Sequence, residues 1–276
     1  MSNVNNKNIS LEILISTKDR DNLDFLNNIF IKNNTHSNSI LIINQTHKTD
    51  FSCPKIDNIN LINVNEIGLS KSRNLAINNA KSDICLLADD DVIYENNFDS
   101  IILKAFNLNP SADIITFKMN DLNGNPFKDY PSIKYHNKKS LSFVNSVVIA
   151  FRRNSIISNK VLFDENFGLG SIFQTADEYV FLRNALDLNL NIIFHNEVIL
   201  SHPINSSGKD VASDRILFAK GAIFYKYFNF FSFFKLIHYV YLMFKFKYIS
   251  LNQILNKYWI GVKGIIKYIN VNNEKK

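Results

Sequence analysis

Three consecutive aspartates, residues 89–91, directly follow the apolar run Ile84–Ala88. An uninterrupted apolar run of this length is typical of a strand buried inside a parallel sheet. Ligands of α/β proteins bind in the crevice outside the carboxyl ends of such strands. Adjacent carboxylates repel each other unless a positive charge lies among them. The cluster therefore predicts a divalent cation, which takes oxygen ligands and often a substrate phosphate as well.

An alternative interpretation of these acids needs no ligand. An acidic turn here would cap the helix that is expected to begin near Asn96 or Asn97. Capping requires one aspartate side chain, however, and this turn carries three. The metal-binding interpretation therefore accounts for more of the pattern.

The elements that would position these acids alternate between strands and helices. Predicted strands occupy residues 11–17, 39–44, 60–64, 84–88, 113–119, 143–152 and 191–195. Predicted helices are one capped by Asp19 or Asp21 that reaches Phe30, one from the turn 68–70 to Ala80, and two at 98–108 and 177–188. This alternation favours βαβ units, an α/β fold class and a mostly parallel sheet.

Composition and charge exclude several classes of protein. The chain of 276 residues is 46% hydrophobic and 20% charged, which is enough apolar content for a core and argues against disorder. Its two cysteines, Cys53 and Cys85, form no disulfide framework and indicate a reducing compartment. Residues 1–10 are polar without an apolar stretch, so we expect no signal peptide.

The net charge of +6 is divided unevenly along the chain. Residues 209–276 hold 12 Lys and Arg against 3 Asp and Glu, a net +9, whereas residues 1–208 carry a net −3. A mildly acidic body with a basic tail differs from a uniformly basic nucleic-acid binder, so no nucleic-acid partner is expected. We expect a catalytic domain over 1–208 and a helical extension over 209–276.

The extension is aromatic as well as basic. Residues 222–246 are dense in Phe, Tyr, Leu and Ile, but Lys226, Lys235 and Lys245 interrupt them. A Lys near the centre of a membrane span costs roughly 2.5–3.5 kcal/mol, so spanning is not expected. Polar residues surround the helical wheel of this segment, which predicts a break near Asn229 or burial on several sides.

A second apolar stripe runs through residues 251–269 at helical spacing. Its members are Leu251, Ile254, Leu255, Tyr258, Trp259, Val262, Ile265, Ile266 and Ile269. A basic amphipathic helix with Trp and Tyr suits the headgroup region of a membrane. The alternative is that the stripe packs on the body as ordinary core. We expect peripheral contact with a membrane surface.

Five short motifs, each weak alone, occur in a specific order. They are Ile15-Ser16-Thr17 with Arg20, Ile42-Ile43-Asn44-Gln45, Gly68-Leu69-Ser70-Lys71-Ser72-Arg73-Asn74-Leu75-Ala76, Leu87-Ala88-Asp89-Asp90-Asp91, and Phe167-Gly168-Leu169-Gly170 followed by Ala176-Asp177-Glu178-Tyr179. From about Leu11 to Gly208 the chain resembles family 2 glycosyltransferases of the GT-A fold, particularly bacterial enzymes that build surface polysaccharides. The resemblance implies a GT-A catalytic domain over 1–208.

The resemblance also implies a metal site for the donor diphosphate. A Mn²⁺ or Mg²⁺ ion neutralises the charge of the leaving group and orients it. Asp91 matches the main metal ligand, and Asp89 would help through the metal or the donor ribose. Asp90 lies between them among the donor-binding residues, without a separate role. His202 matches a late histidine that meets the metal or the diphosphate, although a lone histidine is often structural.

Four further positions match those that bind the nucleotide in the family. Thr17, with Arg20 in the same motif, ends the first strand, and Asn44 ends the second. The family usually carries Asp at the second position, but an amide also donates and accepts hydrogen bonds. Arg73 matches a cation that approaches the nucleotide phosphate beside a helix terminus. Its alternative interpretation is a solvated helix charge.

The resemblance places the general base in the acidic pair Asp177-Glu178. Glu178 occupies the expected position of the base, which takes the proton of the acceptor hydroxyl, and Asp177 is the second candidate. The bland alternative is a capping box, with Thr175 as N-cap and Glu178 bonding back to its N–H. The nearby glycines, Gly168 and Gly170, would let the chain approach the acceptor closely.

The resemblance therefore implies a metal-dependent inverting glycosyltransferase with a nucleotide-sugar donor. The expected acceptor is a glycan or lipid-linked oligosaccharide, at the cytoplasmic face of the membrane. A sugar-nucleotide nucleotidyltransferase is the second hypothesis, but Ser16–Arg20 lacks the glycine that it would need. A catalytically silent glycan-binding or nucleotide-sugar-binding protein is the third. The loops 121–139 and 163–175 are expected to decide specificity.

Overall fold

A computed structural model describes residues 9–33, 38–47, 56–203 and 212–274. Cys53 and the predicted domain boundary at residue 208 lie outside these ranges, as do residues 1–8 at the start of the chain. The strands are β1 Leu11–Lys18, β2 Ser39–Gln45, β3 Ile59–Val64, β4 Ile84–Asp89, β5 Ile93–Tyr94, β6 Ile114–Asn120, β7 Ile149–Arg152 and β8 Ile192–Ser201. The α-helices are α1 Phe25–Ile29, α2 Leu69–Asn79, α3 Phe98–Leu108, α4 Arg153–Ser158, α5 Asp177–Asp187, α6 Asp214–Phe228, α7 Ser232–Lys245 and α8 Ile254–Asn273.

The eight strands form one sheet in the order β3-β2-β1-β4-β7-β6-β8-β5. Strands β1 to β4 are parallel to one another, and β6 is parallel to β8. Strand β7 runs antiparallel to both of its neighbours, and β5 runs antiparallel to β8. The predicted α/β fold with a mostly parallel sheet is therefore confirmed.

The central strands form because their side chains are apolar on both faces. Residues 13–15 of β1 and 84–88 of β4 are at most 1% exposed, as expected of strands covered by helices on both sides. Cys85 is a free thiol inside this core, as predicted. Helix α3 was predicted with its observed bounds because its apolar residues recur at helical spacing between Asn97 and Asn109.

The predicted strand at 143–152 is largely wrong. Residues 140–143 and 146–148 form short 3-10 turns, and only Ile149–Arg152 is a strand. Strand β7 pairs with β4 over Ile84–Leu86 alone, and the residues before Ile149 pack beside β4 as a 3-10 turn without pairing to it. Helix α1 is also shorter than predicted, whereas β8 continues beyond its predicted end to Ser201.

The C-terminal helices break where the sequence predicted a break. Asn229 has a φ of 46° and separates α6 from a 3-10 turn that leads into α7. Helices α6 and α8 cross so closely that a Cβ added at Gly221 would lie 2.0 Å from the Gly261 carbonyl oxygen. Within the described residues, no helix is long and apolar enough to cross a membrane.

The stripe predicted in residues 251–269 is divided between core and surface. Val262 and Ile265 are buried against α6 and α7, as the packing alternative required. Leu255, Trp259 and Ile266 are exposed on another side of the same helix. The stripe is wider than the buried face because, within the described ranges, α8 is packed on one side and exposed on the other.

Candidate active site

The predicted site residues meet where the parallel strands end. In the sheet register, Ser16 of β1 lies beside Asp89 of β4, and Thr17 lies beside Asn44 of β2. A cleft of about 670 Å³ opens at this edge. Its lining includes Thr17, the aspartates 89–91, Glu178 and His202.

Asp90 binds the end of strand β1. Its Oδ2 accepts hydrogen bonds from Nε of Arg20 at 2.9 Å and from Nη2 of Arg20 at 2.7 Å. The Thr17 hydroxyl donates to the same oxygen. A carboxylate with three donors on one oxygen is committed to fixing its neighbours. Asp90 thus acquires a role that the sequence left open, which is to join Thr17 and Arg20.

Asn44 is fully buried and does not reach the cleft lining. Its amide accepts from the Arg20 N–H at 3.1 Å and donates to the Arg20 carbonyl at 2.8 Å. It also donates to Asn63 at 2.9 Å. A carboxylate has no hydrogen to donate, so an aspartate could make neither of the two donated bonds. This gives a physical reason for the amide at this position. Its contact with a nucleoside stays a prediction.

Arg73 lies beneath the cleft rather than at its surface. It is 1% exposed, and its guanidinium bonds Asp89 at 3.0 Å and also pairs with Asp177. Burial acts to lower the pKa of Arg73, but the nearby carboxylates of Asp89, Asp177 and Glu178 outweigh it and the net direction is upward. Arg73 therefore links the strand-end acids to the helix that carries the acidic pair. Its predicted contact with a nucleotide phosphate stays a prediction.

Asp91 and His202 face each other across the cleft. His202 Nε2 lies 3.4 Å from Asp91 Oδ1, and the Asp91 side chain is 54% exposed. The hydrogen bond from His202 lowers the pKa of Asp91, while burial opposes it. Although burial acts to lower the pKa of His202, its bond to Asp91 raises it. On the other side of the ring, His202 Nδ1 lies 2.8 Å from the Pro203 carbonyl oxygen, which fixes the ring orientation.

The structure brings together some, but not all, of the side chains that a metal site would need. Among the described residues, no three His, Cys, Asp or Glu side chains are grouped closely enough to hold a metal ion. One carboxylate and one imidazole do meet in the cleft, and both are ligands that Mn²⁺ accepts. Mg²⁺ commonly binds through one or two carboxylates and completes its shell with water and substrate phosphates. The residues present fit a cation that is shared with a bound diphosphate.

The acidic pair opens helix α5, and the capping box that was the alternative interpretation of these acids does not form. The N-cap is Ala176, in the left-handed region at φ 63°, and no side chain caps the helix. Asp177 is buried and paired with Arg73, whereas Glu178 is half-buried, and both side chains line the cleft. Both acids border the cleft, and they differ in that Asp177 is ion-paired with the buried Arg73.

The environment of Glu178 holds its proton tightly. Burial, followed by the neighbouring Asp177 carboxylate, raises the pKa of Glu178 to about 8. Two lysines that sequence reasoning missed lie within electrostatic range, namely Lys128 after β6 and Lys220 on α6. Burial lowers the pKa of Lys128 to about 8 and also lowers that of Lys220. No local pattern marks either lysine, since both approach Glu178 through tertiary packing.

The glycine loop fits against α2 and α5 rather than standing free. A Cβ added at Gly168, where φ is 100°, would lie 3.1 Å from both the Asp177 side chain and Ser70 Oγ. The Ser70 hydroxyl donates to the Phe167 carbonyl at 2.6 Å. Gly170 also lies so close to Gly68 that a Cβ added to it would be 3.3 Å from the Gly68 Cα. We call residues 167–176 the acceptor wall, because they form the cleft side next to Glu178.

Residues 7–166, more than half of the chain, match the family model described as "Glycosyl transferase family 2". A search of the curated proteins with this sequence found no match.

Solved structures share the fold at low sequence identity. The structure of S. aureus TarS 1-349 in complex with UDP-GlcNAc aligns with a TM-score of 0.60 at 13% identity, over 93% of this chain and 82% of that one. A further TarS structure is matched over 46% of its own length. The mannosyltransferase PcManGT from Pyrobaculum calidifontis, in complex with GDP-Man and Mn²⁺, aligns with a TM-score of 0.54 at 12% identity, over 80% of this chain and 65% of that one. At such identities these likenesses show the fold alone.

Proposed function

Since the chain belongs to glycosyl transferase family 2 and is a glycosyltransferase of the GT-A fold, we propose that it moves a sugar from a nucleotide-diphosphate donor to an acceptor hydroxyl with inversion. The observation that carries this proposal is the cleft itself, in which the Asp91–His202 pair and Glu178 line the same space. A leaving diphosphate and an incoming hydroxyl need these two kinds of group. Structural neighbours in complex with UDP-GlcNAc and with GDP-Man and Mn²⁺ support a nucleotide-sugar donor.

Glu178 is the proposed general base. Its carboxylate would accept the acceptor hydroxyl proton as the oxygen attacks the anomeric carbon, so the proton ends on Glu178 and the nucleotide diphosphate leaves. Asp177 is ion-paired with the buried Arg73, so its carboxylate is already engaged by a cation. We assign Asp177 a positioning role, through its ion pair beneath the acceptor wall.

Donor binding is proposed for the strand-end residues. Asp91 and His202, with help from Asp89, would hold a Mn²⁺ or Mg²⁺ ion, which supplies positive charge against the departing diphosphate. Thr17 and Arg20 would face the nucleoside in the orientation that Asp90 gives them. Asn44 would contribute to nucleoside binding indirectly. It hydrogen-bonds both the N–H and the carbonyl of Arg20 and so fixes the Arg20 backbone.

The decisive experiment compares donors and metals by thermal shift. A ligand at 100 times its dissociation constant stabilises the folded state by about 2.7 kcal/mol, so the correct donor with Mn²⁺ is expected to raise the Tm. UDP-, GDP- and dTDP-sugars are each measured with and without the metal. Asp91→Ala is expected to abolish the metal-dependent part of the shift. The exposed Asp57 lies outside the cleft lining, so Asp57→Ala is the matched control.

Two results would count against this function. A Mn²⁺-dependent shift that survives in Asp91→Ala would remove Asp91 from the metal site. A donor that binds without any metal-dependent hydrolysis, when no acceptor is present, would favour a catalytically silent sugar-binding protein.

A second part of the proposal concerns the acceptor and the cellular location of the protein. We propose a lipid-linked glycan as the acceptor, in surface polysaccharide synthesis at the inner face of the membrane. The supporting observations are the net charge of +9 over residues 209–276 and the apolar residues that α7 and α8 expose. We also propose that residues 1–208 form the catalytic part and residues 209–276 the membrane-facing part.

A further inference from the structure

The C-terminal helices expose more apolar surface than the rest of the molecule. Among the described residues, 23 large hydrophobic side chains are exposed, and 12 of these lie between residues 230 and 266. We use the name apolar face for seven of them: Phe234, Ile237, Tyr241, Phe244, Leu255, Trp259 and Ile266. Exposed apolar side chains at this density on a folded protein mark a surface that binds something.

The apolar face follows helical periodicity, so it is a stripe rather than a scatter. On α7 its members recur at spacings of three and four residues, opposite the buried Leu236, Val240 and Met243. On α8 the exposed members lie on the side away from the buried Val262 and Ile265. Each helix is therefore apolar on two sides, and only one side is used in folding.

The charges around this face identify its partner. Residues 229–273 contain six lysines and no Asp or Glu. Two copies of this face in contact would bring like charges together, which opposes a dimer. An anionic lipid surface instead offers apolar chains to the aromatic side chains and phosphates to the lysines. Lysine side chains can lie along apolar surface while their ammonium groups reach the headgroups.

The same helices hold the acceptor wall from behind. Tyr268 of α8 lies 6.1 Å from Phe167 and 6.0 Å from Phe173 between ring centroids. Phe173 also lies 5.5 Å from Phe218 of α6. Arg215 of α6 donates to the Gln174 carbonyl at 2.6 Å, and Gln174 lines the cleft. A change in the freedom of α8 would therefore reach the cleft through aromatic packing.

We propose that the apolar face of α7 and α8 docks on an anionic lipid bilayer, and that docking steadies the acceptor wall through the aromatic residues 167, 173, 218 and 268. The docking part stands on the exposed face and its charge alone. The second part rests on the proposed function, because it assumes that residues 167–176 border the acceptor.

The first experiment is vesicle co-sedimentation of the full chain. Vesicles of phosphatidylcholine alone are compared with vesicles that contain about one third phosphatidylglycerol, at low and high salt. We expect binding to the anionic vesicles, weakened by salt. Phe234→Ser with Trp259→Ser is expected to lower binding about 10-fold or more, because it removes two inserted side chains. Lys263→Glu with Lys267→Glu is expected to remove the preference for anionic lipid.

The matched control is Leu108→Ser with Leu188→Ser, two exposed leucines elsewhere on the molecule. It is expected to leave vesicle binding unchanged. Equal loss in the control and in the Phe234/Trp259 variant would overturn the assignment of the face. Failure of the unaltered chain to bind anionic vesicles would overturn the docking. So would a dimer in sedimentation velocity that the same two substitutions dissociate.

Hydrogen exchange tests the coupling without any turnover. Anionic vesicles are expected to slow amide exchange in residues 167–176, whereas phosphatidylcholine vesicles leave it unchanged. Vesicle binding with unaltered exchange there would overturn the coupling. Neither readout involves a sugar donor, so failure of the donor and metal experiment would leave docking standing, and the reverse also holds.

Discussion

At the residue scale, the sequence indicated which side chains matter but not what each of them contacts. The aspartates 89–91 were recognisable because they end a buried strand. Their partners were not, since Arg73 and Asp177 pair across 104 positions of the chain. No local pattern carries a contact of that separation. The contacts of Asn44 were hidden as well, because its partners are the Arg20 backbone and the Asn63 side chain.

The burial of Arg73 yields a stability prediction. Arg73→Met would leave the buried Asp177 and the partly buried Asp89 without their cation. Removing one partner of a buried ion pair costs about 3–5 kcal/mol. Arg73→Lys keeps the charge but cannot bond both acids in a planar fork, so an intermediate loss is expected. Urea denaturation at neutral pH measures the free energy of unfolding of each variant.

Lys71 on the same helix is the matched control for this prediction. It lies 3.2 Å from Glu66 with a side chain that is 42% exposed. Exposed ion pairs contribute about 0–1 kcal/mol, so Lys71→Met should change stability little. Equal losses for Lys71→Met and Arg73→Met would show that Arg73 is an ordinary helix charge.

The raised pKa of Glu178 gives a pH prediction. Its usual value of 4.5 rises to about 8 in the folded protein. A base must be ionised, so kcat/KM should increase as the pH rises towards and through about 8. The folded state keeps the proton that the unfolded state loses above pH 4.5, so the carboxyl group makes folding less favourable as the pH rises to 8.

Glu178→Gln separates the catalytic role of this side chain from its effect on folding. The neutral amide avoids the cost of a buried carboxylate. We expect its stability advantage over the unaltered chain to be larger at pH 9 than at pH 5. Donor binding should remain while transfer is lost. Turnover that equals that of the unaltered chain, with an unchanged pH profile, would remove Glu178 from the mechanism.

At the element scale, regular periodicity was sufficient for most of the longer strands and helices of the body, but not for β5, β7 or α4. Strand β4 and helix α3 were predicted because runs of 6 and 11 residues carry their own signal. The failure at 143–152 has a tertiary cause, since the apolar Val147 and Val148 are buried against the sheet in a 3-10 turn rather than paired in it. An apolar run predicts burial more securely than it predicts a ladder of hydrogen bonds.

The glycines of the C-terminal helices give a prediction that belongs to the element. Gly221→Ala would place a methyl group 2.0 Å from the Gly261 carbonyl oxygen, and backbone on both sides prevents an easy adjustment. Overpacking of this kind typically costs about 1–3 kcal/mol, so α6 and α8 should separate and the Tm should fall. The exposed Asn270→Ala on α8 is the control and should have little effect. A Gly221→Ala protein with unchanged Tm would show that the crossing is looser than described.

At the scale of the whole molecule, the charge distribution divides the chain into two parts, whereas the packing joins those parts. The charges divide the chain near residue 208 into a body of −3 and a tail of +9. The packing joins them, because the apolar cluster around Phe167, Phe173 and Val180 includes residues of α6 and α8. Sequence composition reveals the division by charge. It does not reveal the joint packing, which depends on contacts between distant segments.

This joint packing predicts the behaviour of a shortened chain that ends at residue 208. Phe167, Phe173 and Val180, all fully buried in the complete chain, would meet water. Exposing a large apolar side chain costs roughly 1.5–3 kcal/mol, so three of them remove about 5–9 kcal/mol. That loss is comparable to the whole stability of a typical domain, about 5–15 kcal/mol.

We therefore expect the fragment to unfold at a much lower urea concentration than the full chain, or to aggregate, and to show no donor-induced thermal shift. Circular dichroism during urea titration of both proteins provides the measurement. A fragment that unfolds cooperatively at the midpoint of the full chain would establish residues 1–208 as an independent domain, and the acceptor wall would then need no support from α6 and α8.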